Sequence, residues 1–288
     1  MLTRRLLLKK SLFVPFLLRP DLINKLPGMA KRKIKIGACD WSIGQWSNIA
    51  AFKVAKEIGV EGIMVDMGGE ENDLHIRKKE VQEAYLAESK KTGIKISSVA
   101  LGVYNQVPFH SDSRTEKWVG DSIEAAANLD VKVLLLAFFN ASDLRNDETR
   151  KEAAVNILKK LAPAAEAKGV ILGIESYLNA KEHLDLIEKV GSENVKVYYD
   201  FRNTADAGFD TVEEFRKLGK NMICELHMKE NDFLLGEGTI DWKAVSTAVA
   251  DTGYIGNGWM QIEGAIPKGG DIVKSYRHNV AYLRKLFA

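Results

Sequence analysis

Four short apolar runs in the second half of the chain each deliver a residue suited to metal or proton chemistry. Gly173-Ile174-Glu175-Ser176 closes on a glutamate and Tyr198-Tyr199-Asp200 on an aspartate. Leu226-His227-Met228-Lys229 supplies an imidazole, and Gln261-Ile262-Glu263-Gly264 a second glutamate. Buried strands carry apolar residues because nothing inside a protein solvates a charge. A single carboxylate at a strand end is an ordinary ion-pair partner. Three carboxylates and an imidazole converging on one mouth repel one another and stay badly solvated without a cation. A divalent ion takes oxygen and nitrogen ligands together. Three carboxylate oxygens with one imidazole suit Mn²⁺ best, with Mg²⁺, Co²⁺ and Zn²⁺ as the other candidates. Waters or substrate oxygens would fill the remaining positions.

Such residues converge only if the strands lie side by side and point the same way. From Ile34 onward, runs suited to buried parallel strands fall at Ile34–Cys39, Gly62–Asp66, Ile94–Leu101 and Val131–Phe139. They recur at Val170–Glu175, Val195–Asp200, Met222–Met228 and Trp259–Glu263. Between them lie segments with helical spacing, such as Ala154, Ile157, Leu158, Leu161 and Ala165 on one face. Gly59, Gly93, Gly169 and Gly253 stand where helices must close in the left-handed conformation. Eight strand–helix units in about 250 residues is the count and size of a single α/β (β/α)8 TIM barrel. A doubly wound open sheet would offer a glycine-rich phosphate loop after its first strand. The chain instead reads Ala38-Cys39-Asp40-Trp41-Ser42-Ile43-Gly44 there. In a barrel the strand C-termini carry the chemistry, and that is where all four candidates lie.

Composition bounds the function. With 46% apolar and 28% charged residues, the chain can bury a large core. Its formal charge of +2 hides an asymmetry, because residues 1–33 hold nine Lys/Arg against Asp21 alone. Residues 34–288 therefore carry 32 basic and 38 acidic residues, a net of −6. An acidic body with no basic patch argues against nucleic acid as a partner. The two cysteines, Cys39 and Cys224, each sit in an apolar segment and match neither a disulfide framework nor a zinc-binding spacing.

Residues 1–30 read as a separate N-terminal tail ahead of a barrel domain over 31–288. "MLTRRLLLKKSLFVPFLL" has a basic start and an apolar run too short to span a bilayer, which suits a signal-peptide core. Thr3-Arg4-Arg5-Leu6-Leu7-Leu8-Lys9 resembles a twin-arginine export signal, implying a periplasmic location; without export the protein would be cytoplasmic. No stable membrane span is expected.

Over residues 34–288 the chain resembles the xylose isomerase-like TIM barrel superfamily, in its sugar phosphate isomerase/epimerase branch, which includes ketose 3-epimerases. The motifs that carry the resemblance are "GIES", "VYYDFRN", "LHMKEND", "GEGTIDW" and "GYIGNGWMQIEG". Matched position by position, the resemblance makes Glu175, Asp200, His227 and Glu263 the single metal site, with Glu175 and Glu263 also the catalytic acid/base pair. It implies an isomerase or epimerase of a small-molecule sugar or sugar derivative, working by proton transfer through an enediolate held by the metal. Asn203 departs from many ketose epimerases, which carry a histidine there, and Glu230 stands where aspartate is usual. The apurinic endonuclease branch binds three zinc ions and needs more histidines than the five present.

Six further residues are candidates for substrate binding. Lys229 shares a strand face with His227 and is read as a substrate contact in preference to a salt bridge with Glu263 or Asp200. Asn203, Arg202, Trp41 and Asp66 lie at or just beyond strand ends, and His110 lies in the loop after the third strand. Tyr104, Phe138 and Phe139 are aromatic candidates for the same wall. The alternative reaction is a lyase or dehydratase acting on a keto-sugar or keto-glycoside through the same site. A non-catalytic sugar-binding barrel is less consistent with four intact ligands. The reading is compatible with a homo-oligomer.

Overall fold

The computed structural model describes residues 34–288. The export-signal-like segment, and its boundary at residue 30, lie outside the described residues. Eight parallel strands close into a barrel in sequence order: β1 (Lys35–Cys39), β2 (Gly62–Asp66), β3 (Lys95–Leu101), β4 (Val133–Phe138), β5 (Ile171–Ser176), β6 (Val195–Asp200), β7 (Ile223–Lys229) and β8 (Trp259–Glu263). β8 pairs back onto β1, with Ala38 opposite Ile262. Every strand expected from sequence is present, with ends shifted by no more than two residues.

Helices α1 (Ala51–Ile58), α2 (Lys79–Thr92), α3 (Thr115–Asn128), α4 (Glu148–Lys168) and α5 (Ala180–Val190) follow the first five strands. A short α6 (Phe201–Asp206) and α7 (Thr211–Met222) follow β6, with α8 (Trp242–Asp251) and α9 (Ile272–Leu286) completing the ring. The four expected glycines, Gly59, Gly93, Gly169 and Gly253, all adopt positive φ at helix ends. Among the described residues no helix is long and apolar enough to cross a membrane.

Strand alternation divides the buried side chains into two layers. Outward-facing residues such as Ile36, Ala38, Ile63 and Val65 pack beneath helix residues such as Phe52, Ala55, Val119 and Leu158. Inward-facing Cys39, Met64, Ala100, Leu135, Ala137, Tyr198 and Cys224 fill the barrel. Both cysteines are free thiols. Burial of each large apolar side chain in the outer layer contributes roughly 1.5–3 kcal/mol, so the barrel is held mainly from outside. The interior can therefore spend stability on polar groups.

One polar layer lies near the middle of the barrel. Tyr198 donates to Glu225 Oε2 at 3.2 Å, and Gln261 Nε2 donates to Ser97 Oγ at 2.7 Å and Ser98 Oγ at 3.2 Å. Gln261 fits because β1 offers no side chain beside it: a Cβ on Gly37 would collide with the Gln261 amide. Burial pushes the Glu225 carboxyl up to about 7, against the opposing pull of hydrogen bonds from Ser98, Gln261 and Tyr198.

The folded chain thus keeps a proton that the unfolded chain loses near the ordinary glutamate value of about 4.5. That stabilisation is fully present below the unfolded value and is lost as pH rises through about 7. Urea unfolding of the chelator-treated protein at about pH 5 and about pH 7.5 should show stability falling with pH. In Glu225→Gln the fall should be smaller; an unchanged fall would show that Glu225 does not hold the proton.

Candidate metal centre and pocket

The register of the last four strands assembles the site. Asp200 on β6 lies opposite His227 on β7, Lys229 on β7 lies opposite Glu263 on β8, and Ala137 on β4 lies opposite Glu175 on β5. Glu175, Asp200, His227 and Glu263 each offer one ligand atom, and those atoms all lie within 4.8 Å of one another. His227 is fully buried, and its Nδ1 stands 2.9 Å from Glu175 Oε1, 3.5 Å from Glu263 Oε2 and 3.8 Å from Asp200 Oδ2.

Each of the three carboxylates is aimed by a neighbour. Asp200 Oδ1 accepts the backbone N–H groups of Arg202 and Asn203 and so caps α6, while buried Oδ2 has no hydrogen-bond partner. Glu175 Oε1 accepts from Asn203 Nδ2 at 3.0 Å. Glu263 Oε1 accepts the Trp41 indole N–H at 2.7 Å, and its Oε2 lies 3.0 Å from the Lys229 ammonium. Lys229 also stands 3.7 Å from Asp200 Oδ2. It both faces the pocket and ion-pairs with Glu263 and Asp200, so the two readings from sequence coexist.

The cluster draws positive charge from its titratable neighbours. Burial raises the Asp200 carboxyl to about 7; Lys229 opposes this, and Glu175 and Glu263 add to it. Burial would also raise Glu263, but Lys229, His227 and the Trp41 hydrogen bond outweigh it and hold that carboxyl down to about 2. Burial disfavours a charged His227, yet Glu175 and Glu263 push its pKa well above the ordinary histidine value. Burial likewise disfavours the Lys229 ammonium, and Glu263 and Asp200 outweigh it. An unpartnered Asp200 oxygen aimed at a histidine nitrogen and two further carboxylates is the donor set of a divalent cation. The residues fit such an ion.

Above the cluster opens a pocket of about 600 Å³. Trp41, Asp66, Glu175, Asn203, Lys229 and Glu263 line it, as does Phe139, whose ring packs edge-on against Tyr177. Asp66 is buried at the end of β2 and accepts the backbone N–H groups of Gly68 and Gly102. Burial raises its carboxyl to about 7, although those hydrogen bonds pull the other way.

Other candidates fall elsewhere. Arg202 is not among the lining residues; it donates to Thr239 Oγ1 and Asp206 Oδ1. His110 also lies outside the lining, in the loop after β3. Tyr104 donates to the Thr115 carbonyl within the core, and Phe138 packs against Phe109.

The structure adds residues that sequence reasoning passed over. Trp46, Glu70 and Glu71 line the outer pocket. Buried Glu230 accepts from the Ile240 N–H and the Trp242 indole, fastening the loop over residues 231–241 to the end of β7. Gly238 is required there, because a Cβ would strike the Glu230 carboxylate. The "GEGTIDW" motif and the residue after Lys229 are thus one structural unit.

The profile of the xylose isomerase-like TIM barrel matches residues 52–286. The chain belongs to this family. Among its relatives, a 2-epi-5-epi-valiolone 7-phosphate 2-epimerase of an Actinoplanes species is 24% identical over 199 residues, covering 68% of this chain and 72% of that protein. A D-psicose 3-epimerase of Enterocloster bolteae is 29% identical over 140 residues, covering 46% of this chain and 44% of its own. The barrel superposes on D-psicose 3-epimerase from Clostridium cellulolyticum H10 with a TM-score of 0.74 at 20% identity, covering 88% and 99% of the two chains. It also superposes on 3-keto-D-glucoside 4-epimerase from E. coli with a TM-score of 0.69 at 19% identity, covering 88% and 100%. These structural likenesses show the barrel fold alone.

Glu230→Ala should strand two buried N–H donors and cost about 1–3 kcal/mol for each. Urea titration should report the loss, and limited proteolysis should cut within 231–241. Wild-type stability in this variant would show that Glu230 is not the loop's anchor.

Proposed function

We propose that the protein is a divalent-metal-dependent sugar epimerase or isomerase that moves a proton next to a carbonyl. The observation that carries this reading is the buried cluster of Glu175, Asp200, His227 and Glu263 at the floor of a pocket. That the relatives named above are sugar epimerases supports it. A cation bound by these four residues would acidify the carbon beside a chelated carbonyl by stabilising the enediolate charge.

The chain's own residues supply the rest. Glu175 and Glu263 come from strands across the barrel mouth, so one can take a proton from a substrate carbon while the other returns it. Asn203 holds Glu175, and Trp41 holds Glu263, each through a single hydrogen bond. Such bonds limit carboxylate rotation. Lys229 is placed to contact a substrate oxygen beside Glu263. Among the described residues, acidic Glu70, Glu71, Glu175 and Glu263 line the pocket with Asp66, against the single basic residue Lys229. Carboxylates accept hydrogen bonds from hydroxyls and repel phosphate, which favours an unphosphorylated polyol.

Asp66 favours a second reading. A carboxyl raised to about 7 retains its proton near neutrality and can protonate a leaving group in the same pocket. Elimination from a keto-glycoside would then follow the same first proton transfer.

The test is solvent deuterium uptake with Mn²⁺ present, using D-psicose, D-fructose, D-tagatose and 3-keto-glucosides. Uptake should stop after chelation, return with metal, and fall by roughly 10²–10⁴-fold in Glu263→Gln. Uptake indifferent to chelation would overturn the metal-dependent reading. Epimeric product supports the first reaction, and release of aglycone supports elimination.

A further inference from the structure

Cys39 ends β1 inside the barrel, directly beneath the metal cluster. Its Sγ lies 3.4 Å from His227 Nε2, across 188 residues of sequence. Among the described residues, Nε2 has no other hydrogen-bond partner. The opposite ring nitrogen, Nδ1, faces Glu175, Glu263 and Asp200. The ring is clasped as well, with Tyr198 tilted against it at a centroid distance of 4.6 Å and Trp41 edge-on at 6.3 Å. Met64 Sδ, 3.9 Å away, can accept the thiol proton, which would leave a sulfur lone pair for the imidazole.

A histidine that gives one nitrogen to a metal must carry its proton on the other, and that N–H needs an acceptor when buried. We infer that Cys39 is the positioning residue of the metal centre, accepting the Nε2–H of His227 so that Nδ1 is presented to the cation. This rests on the metal-dependent reading above. Carboxylates or backbone carbonyls commonly fill such a role. Here a carboxylate would add a fourth negative charge beneath three others, whereas a neutral sulfur satisfies the N–H without adding any. The sulfur is a weak acceptor, so it fixes the tautomer while leaving the imidazole less basic than a carboxylate partner would.

The test is Mn²⁺ binding to the metal-free full chain, followed by loss of the free-ion EPR signal in wild type, C39V, C39A and C39S. Val fills the thiol's space without accepting a hydrogen bond, and Ser restores an acceptor. Mn²⁺ affinity should fall about 10- to 100-fold in C39V and C39A and be tighter in C39S than in C39V. Equal affinity in wild type and C39V overturns the inference while leaving the metal site standing, as does C39S binding no better than C39V. Failure of wild type to bind Mn²⁺, Co²⁺, Zn²⁺ or Mg²⁺ removes both readings. A second measurement needs no variant. Long-range ¹H–¹⁵N NMR on Zn²⁺-loaded wild type with labelled histidine should find the His227 proton on Nε2, and a proton on Nδ1 would overturn the assignment.

Discussion

Three carboxylates held within 4.8 Å of one buried imidazole set the terms for the rest of this molecule. Each charge has lost its water, and like charges at such spacing oppose one another by several kcal/mol unless positive charge intervenes. Lys229 supplies one unit, lowering the Glu263 carboxyl together with His227, while Asp200 stays raised by burial and by its carboxylate neighbours. A divalent cation answers that demand in a single place. The opposition also explains why the ligands come from four consecutive strands. A closed sheet fixes strand ends to one another through its hydrogen-bond register, and here that register holds Asp200 opposite His227 and Lys229 opposite Glu263.

Rigidity is drawn from layers below and around the site. The outer strand–helix core closes the barrel, and the interior is free to hold Glu225, Gln261, Ser97 and Ser98 beneath the metal ligands. Above the strands, Glu230 ties the 231–241 loop down, and Arg202 joins that loop to α6 through Thr239. Since α6 is itself capped by Asp200, a candidate metal ligand also helps fasten the helix carrying Asn203, which in turn bonds Glu175. Site and scaffold are one hydrogen-bonded system along β6 and β7.

Much of this was legible from sequence because barrel strands are short apolar runs that end in the residues they present. The eight strands, the convergence of Glu175, Asp200, His227 and Glu263, and the pocket positions of Asp66 and Lys229 follow from where each run stops. Contacts made across the barrel were not legible. Cys39 looked like an inert buried thiol because the histidine it touches lies on a strand far along the chain. Glu230 looked like a minor change in a motif, since its partners become visible only once the loop folds back over it. Arg202 and His110 carried the right chemistry for a pocket, but a strand end fixes direction only for residues still on the strand. Arg202 lies on α6 and turns toward Asp206 and Thr239, and His110 lies well past the end of β3.

The most direct examination of the central claim is an anomalous difference map from a crystal of the protein loaded with Mn²⁺. A single peak should appear about 2.0–2.6 Å from oxygens of Glu175, Asp200 and Glu263 and from Nδ1 of His227. No peak among these four side chains, or a peak held by other residues, would contradict the account.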